Sequence, residues 1–208
     1  MILPLYPQSA FSTVKIVEDQ VRAELKNLSW RPFIRYINGY SDHPLYARTI
    51  ANSIRAAGFS PDSTDKLVYA FHSIPIADIE AGDTYELQVG TSCLAISNDL
   101  NIERRQWTIA YQCQFDKGRE WLTPFTQIVL ERESQLEKHR TFIVCPNFSV
   151  DCLETLYDIE YKYRPVFMNQ LMKNGVEADD NSLIYIPCLN DTTAHVRLLM
   201  EVVRRATL

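Results

Sequence analysis

The stretch Leu67-Val68-Tyr69-Ala70-Phe71-His72-Ser73-Ile74-Pro75 decides the fold. Its first five residues are apolar or aromatic without alternation, as in a strand covered on both faces, and a proline closes the run. Similar short runs recur at residues 3–6, 33–37, 107–112, 142–145 and 183–187. Segments of helical period lie between them. Residues 12–28 carry Val14, Val17, Val21, Leu25 and Leu28 on one stripe behind Ser12 as N-cap. Residues 43–57 carry Leu45, Ile50 and Ile54 and stop at Gly58, a C-terminal signal. Further helices are predicted near 84–97, 124–138, 151–161 and 166–173, and Asp191 caps a closing helix with Leu198, Leu199, Val202 and Val203 inside. Such alternation predicts an α/β protein, a parallel sheet with helices on both faces.

Composition removes several function classes. Of 208 residues 46% are hydrophobic and 23% charged, which a disordered or fibrous chain would not show. The net charge is −5, and no basic block exceeds Arg104-Arg105 or Arg204-Arg205, so nucleic acid is not expected as the main partner. No apolar run approaches the ~20 residues of a spanning helix. The opening Met1-Ile2-Leu3-Pro4-Leu5-Tyr6-Pro7 lacks the basic head and long apolar stretch of a secretion signal, and a cytoplasmic protein is expected. Cys93, Cys113, Cys145, Cys152 and Cys188 are odd in number and contain no C-x-x-C pair. They read as free thiols in a reducing compartment, with no spacing signature for zinc or an iron–sulfur cluster.

In open α/β sheets ligands bind beyond the carboxyl ends of the strands. His72 stands at one such end. A single histidine there is more often a core residue donating to a backbone carbonyl, but its position is also where groups converge on a ligand. His43 before Pro44, His139 in a charged run and His195 in a helix read as surface or structural. After the strand at 142–145, Asp151 precedes a helix on which Glu154, Asp158 and Lys162 stand four residues apart, on one face. A solvated face with an Asp cap and a Glu–Lys network explains that spacing. At a cleft, the same carboxylates would raise one another's pKa and produce a proton acceptor near neutral pH, or hold a hydrated divalent cation loosely. Trp121 and Phe148 follow two further strands. Phosphate loops, G-x-S-x-G and H-E-x-x-H are absent from the sequence.

Several stretches together resemble the ferrochelatase family, enzymes that insert ferrous iron into a porphyrin. Leu3-Pro4-Leu5-Tyr6-Pro7-Gln8 is similar to the family's LPLYPQ strand, and Ser12-Thr13 stand at its Ser/Thr-rich turn. Ala70-Phe71-His72-Ser73-Ile74-Pro75 resembles S-x-H-[GS]-[IL]-P, Gly82-Asp83-Thr84-Tyr85 resembles GDPY, and Trp121-Leu122-Thr123-Pro124 resembles W-L-x-P. The run from Cys145 to Leu156 resembles C-P-x-F-S-x-D-C-L-E-T-L, and Ile186-Pro187-Cys188-Leu189-Asn190-Asp191 resembles IPCLND. Lys162 departs from a frequent Glu, and Asp116 and Gln127 from the usual Gly and acidic residue.

The resemblance implies a Rossmann-like, chelatase-type fold of two halves. Residues 1–38 would be a remnant of the first half, 39–184 the complete second half, and 185–208 a closing helix returning to the first. His72 and Glu154 match the family's catalytic and metal-binding pair: Glu154 as proton acceptor tuned by Asp151, His72 as iron ligand or second base. A neutral imidazole and a carboxylate bind a borderline cation yet let it leave. Trp121 and Phe148 match residues lining the porphyrin, and Asp151 and Asp158 an acidic path outward. The expected partners are a porphyrin, protoporphyrin or coproporphyrin, and Fe²⁺ as substrate, with no further cofactor firmly implied. Peripheral membrane contact and oligomeric state stay open. A non-catalytic porphyrin- or metal-binding module and a cobalt chelatase are the rival readings.

Overall fold

The computed structural model describes residues 1–30, 32–135 and 140–207. Four parallel strands form one sheet, β1 (Lys66–His72), β2 (Trp107–Gln112), β3 (Thr141–Val144) and β4 (Leu183–Ile186), in the order β2-β1-β3-β4. Both neighbours of β1 are in register with it, Leu67 opposite Trp107 and Phe142, and Tyr69 opposite Ile109 and Val144. Every residue from Leu67 to Phe71 is buried, which is why the run does not alternate. Each of these large side chains is worth about 1.5–3 kcal/mol when withdrawn from water.

The two faces of β1 are covered by different helices. Leu67, Tyr69 and Phe71 pack with α2 (Pro44–Ala56), α4 (Tyr85–Leu100) and α8 (Thr193–Thr207), through Ile50 and Ile54, Val89 and Ile96, and Leu198 and Val202. Val68 and Ala70 pack with α5 (Thr126–Glu133) and α7 (Arg164–Lys173), through Leu130, Phe167 and Leu171. α2 begins on His43, whose Nδ1 accepts the Leu45 amide at 3.2 Å, and runs on from Pro44 at its first position. A short helix not expected from the sequence, α3 (Ile76–Glu80), follows Pro75.

Three expectations are corrected. The helices expected at 151–161 and 166–173 are continuous: α6 (Leu153–Tyr157) passes through a π-helical turn, Asp158–Tyr163, into α7. Pro165 has no amide proton to give back along the helix, and the preceding turn is widened. The segment expected helical over 12–28 is a π-helical turn, Phe11–Lys15, leading into α1 (Ile16–Leu25), none of whose residues is buried. The strands expected at 3–6 and 33–37 shrink to one bridge between Ile2 and Tyr36. Among the described residues no further strand lies beside this parallel pair to satisfy and cover its backbone, and no ladder extends from the bridge. His139, and the end of the helix expected to reach residue 138, lie outside the described residues.

Residues 5–11 are nevertheless tied firmly to the rest. The Pro7 carbonyl accepts the amides of Tyr40 and Ser41, both at 2.9 Å. Ser9 N donates to Gln88 Oε1 at 2.9 Å, Phe11 N to Asp83 Oδ2 at 2.6 Å, and Ser149 Oγ to the Leu5 carbonyl at 2.8 Å. Gly39 permits this approach: its φ is +102° and a Cβ there would meet the Pro7 oxygen at 2.8 Å.

Candidate active site

A cleft of about 400 Å³ opens at the carboxyl end of the sheet. β1 delivers His72, Ser73, Ile74 and Pro75 to it, the loop after β2 delivers Phe115, Arg119 and Trp121, and the loop after β3 delivers Asn147 and Phe148. Glu154 enters from the first turn of α6, and residues 6–13 form the facing wall with Tyr6, Gln8 and Ala10. His72 and Glu154 therefore share one hollow despite their distance along the chain.

His72 both donates to a backbone carbonyl and lines the cleft. Its Nδ1 lies 2.7 Å from the Ser73 carbonyl oxygen, which can only accept, so Nδ1 carries a proton and any lone pair the ring offers is on Nε2. The imidazole is thereby oriented as metal-binding histidines usually are. Its ring stands 6.3 Å from that of Phe115, tilted by 45°.

Glu154 differs from the expected raised carboxylate. Partial burial pushes its pKa up, but hydrogen bonds from the Cys152 thiol and its own amide, the imidazolium form of His72 and the charge of Lys162 hold it below the ordinary value. The neighbouring carboxylates are engaged by other partners. Asp158, with its side chain 8% exposed, pairs with Lys162 Nζ at 2.6 Å. Asp151 accepts from the Tyr185 hydroxyl, from Asn190 Nδ2 at 2.7 Å and from the Cys188 amide at 3.2 Å. Its burial pushes upward and these donors, led by Asn190 and Tyr185, pull it below its usual value. Neither Asp151 nor Asp158 lines the cleft.

The aromatic residues divide likewise. Trp121 is only 6% exposed, its indole Nε1 donates to the Asp116 carbonyl at 3.1 Å, and Arg119 lies 4.8 Å over its ring. Trp121 bridges to Pro75, which holds this loop beside His72. Phe148 is half-buried against the second core cluster. Phe115, not singled out from the sequence, is 73% exposed and presents its ring to the cleft. Its place in the loop between β2 and Trp121 was the available signal.

His43 caps α2, and His195 is buried with Nδ1 2.6 Å from the Asn190 carbonyl, so both are structural. All five cysteines are free. Among the described residues no helix is long and apolar enough to cross a membrane.

The sheet order, the two helical layers and a cleft of imidazole, carboxylate and aromatic rings define a chelatase-type α/β fold. A family model described as Ferrochelatase matches residues 1–207. The chain belongs to the ferrochelatase family. It is 34% identical over 204 residues to the ferrochelatase of Aromatoleum aromaticum, covering 98% of this chain and 53% of that protein. It is 36% identical over 206 residues to that of Yersinia enterocolitica, covering 98% and 61% respectively. The chain thus spans about half the length of the curated relatives it matches. Among solved structures, SirB from Bacillus subtilis with Fe³⁺ superimposes with a TM-score of 0.63 at 12% identity, over 98% of this chain and 69% of that one, a likeness of fold.

Proposed function

We propose that this chain inserts ferrous iron into a porphyrin. The observation that carries the reading is the pairing, in one cleft, of an imidazole anchored through Nδ1 with a carboxylate held ionised. Insertion removes two pyrrole protons, bends the macrocycle so that its nitrogen lone pairs point outward, and strips water from Fe²⁺. Glu154 attracts the cation and takes up a pyrrole proton; His72 Nε2 binds iron or receives the second proton. Phe115 and Phe148 offer rings to the macrocycle, and Trp121 an edge. Asp151 acts through structure, holding the loop of Cys188 and Asn190 against the start of α6. Asp158, closed on Lys162, offers no bare anionic route outward.

In this reading residues 39–184 are one complete chelatase half, residues 1–38 belong to the other, and 185–208 join the two. Arg35 reaching the Ala206 carbonyl supports the last assignment. Five free thiols support a reducing, cytoplasmic location.

The second reading is a module that binds porphyrin or metal without turnover. It is favoured by the unburied face of α1 and the exposure of Trp30 and Phe33, which leave the wall formed by the first residues thinly backed. A macrocycle must be gripped on both faces to be bent.

The test follows Fe²⁺ or Zn²⁺ insertion into a soluble porphyrin by absorbance. His72→Ala and Glu154→Gln should each lower the rate by ~10²-fold or more. Equal rates in all three proteins would remove the site assignment. Quenching of porphyrin fluorescence without insertion by the unaltered chain would select the second reading.

A further inference from the structure

Among the described residues no strand lies beside residues 8–11 of the wall that faces His72. The main chain of Ser9 and Phe11 is held instead by side chains of α4 and of the loop before it. Gln88 Oε1 accepts the Ser9 amide at 2.9 Å, and Gln88 Nε2 donates to the Ser9 carbonyl at 3.2 Å. The planar carboxamide thus makes with Ser9 the pair of bonds that a residue of a neighbouring strand would make. The same two bonds settle which end of the amide is the oxygen.

Asp83, which is buried, reaches both sides of the cleft. Its Oδ2 accepts the Phe11 amide at 2.6 Å and its Oδ1 the Tyr85 amide at 2.9 Å. Phe11 opens the π-helical turn of the facing wall and Tyr85 opens α4, so one carboxylate sits at the start of two helical segments. Tyr85 carries the connection further. Its ring lines the cleft, and its Oη donates to the His72 carbonyl at 2.9 Å. A continuous path of hydrogen bonds therefore runs from the facing wall, through Asp83 and Tyr85, to the strand end that bears His72.

This path is stiff. A charge-assisted bond at each carboxylate oxygen fixes the Asp83 side chain, and the ring of Tyr85 does not bend. Neither Asp83 nor Gln88 lines the cleft, so both act behind its surface. Stiffness there matters for a reaction that must deform its substrate. Contacts with two walls bend a flat ring only when the walls cannot part.

We propose that Asp83 and Tyr85 are positioning residues that set the width of the cleft: they hold the facing wall at a fixed distance from His72, so that a bent macrocycle fits better than a flat one. The inference rests on the iron-insertion reading. It gives the Asp83-Thr84-Tyr85 stretch a part in the reaction without contact with the reacting atoms.

The test titrates the whole chain with a soluble free-base porphyrin and with its N-methyl derivative, whose ring the added methyl group holds bent, and follows porphyrin fluorescence. The unaltered chain should bind the N-methyl form more tightly. Tyr85→Phe removes only the hydroxyl that holds the His72 carbonyl. It should weaken the N-methyl form about five-fold, the worth of one hydrogen bond, and change the flat form by less than about two-fold. Asp83→Asn turns an NH₂ group toward one of two N–H donors and should lower the same preference further. In the insertion assay Tyr85→Phe should lower kcat by the factor lost from N-methyl affinity and leave both KM values unchanged, because the lost contact acts on the bent state. Melting curves establish that each variant folds; should Asp83→Asn fail to fold, Tyr85→Phe decides alone. Equal weakening of both porphyrins in Tyr85→Phe, unchanged affinity for both, or no preference for the N-methyl form in the unaltered chain would overturn the proposal. An unaltered chain that favours the N-methyl form but inserts no iron would overturn the function instead, and leave the binding comparison standing.

Discussion

Lys162 Nζ closes on Asp158 Oδ1 at 2.6 Å across the π-helical turn, and the carboxylate it neutralises is nearly sealed from solvent. The same cation is one of the charges that keep Glu154 ionised. Lys162→Met should therefore act twice. Leaving the Asp158 charge buried without its partner should cost about 1–3 kcal/mol in urea unfolding. In the proposed reading Glu154, whose folded pKa is depressed, works in its ionised form, so activity should fall as pH drops through that pKa. Loss of the Lys162 charge raises the pKa, and the acid limb of the insertion rate should move to higher pH. An acid limb that stays in place would separate Lys162 from the site.

Asp151 is held by Tyr185, Asn190 and the Cys188 amide, and its pKa is depressed. Its contribution is therefore present above the unfolded carboxylate pKa of about 3.9 and is lost as pH falls through the lower folded value. Asp151→Asn should cost about 2 kcal/mol at pH 7, typical of a hydrogen-bonded charge. The gap from the unaltered chain should narrow on thermal melting as pH falls below the unfolded carboxylate value of about 3.9. A gap of constant size across that window would show that Asp151 is not ionised in the fold.

Phe115 is packed against little, yet its ring stands beside His72. Phe115→Ala should leave the melting temperature within a degree or two and weaken porphyrin binding about ten-fold, the usual worth of an aromatic contact plus its apolar area. Fluorescence quenching measures the second quantity. Full affinity in the variant would remove Phe115 from the porphyrin wall.

Gly39 combines a positive φ with a close approach to the Pro7 carbonyl. Gly39→Ala should cost about 1–3 kcal/mol and loosen the segment that carries Tyr6 and Gln8 into the cleft. Hydrogen exchange at the Tyr40 and Ser41 amides, both bonded to Pro7, should speed up before exchange in β1 does. Simultaneous loss of both would mean the segment is not a separate unit.

Much of the architecture was legible in residue order. The unbroken apolar runs at 67–71 and 142–145 announce strands buried on both faces, and they form the centre of the sheet. The runs at 3–6 and 33–37 carry a similar local signal, but among the described residues no strand lies beyond them to complete a sheet and the Ile2–Tyr36 bridge is all that forms. The helix stripe of Glu154, Asp158 and Lys162 was also visible, whereas its electrostatics were not. Side-chain spacing places residues on a face; it does not say which of them meets an opposite charge.

By itself, then, the amino-acid order determined the α/β layering, the position of His72 at the end of a buried strand and the helix that carries Glu154. These follow from periodicity and apolarity, which act over a few neighbouring residues. Only the tertiary structure decided that Asp151 is tied up by Tyr185 and Asn190, that the Ser73 carbonyl anchors Nδ1 of His72, and that Gln8 Oε1 is buried without a partner among the described residues. Pairing, protonation and orphaned acceptors depend on groups brought together from remote parts of the chain, and residue spacing alone does not record such meetings.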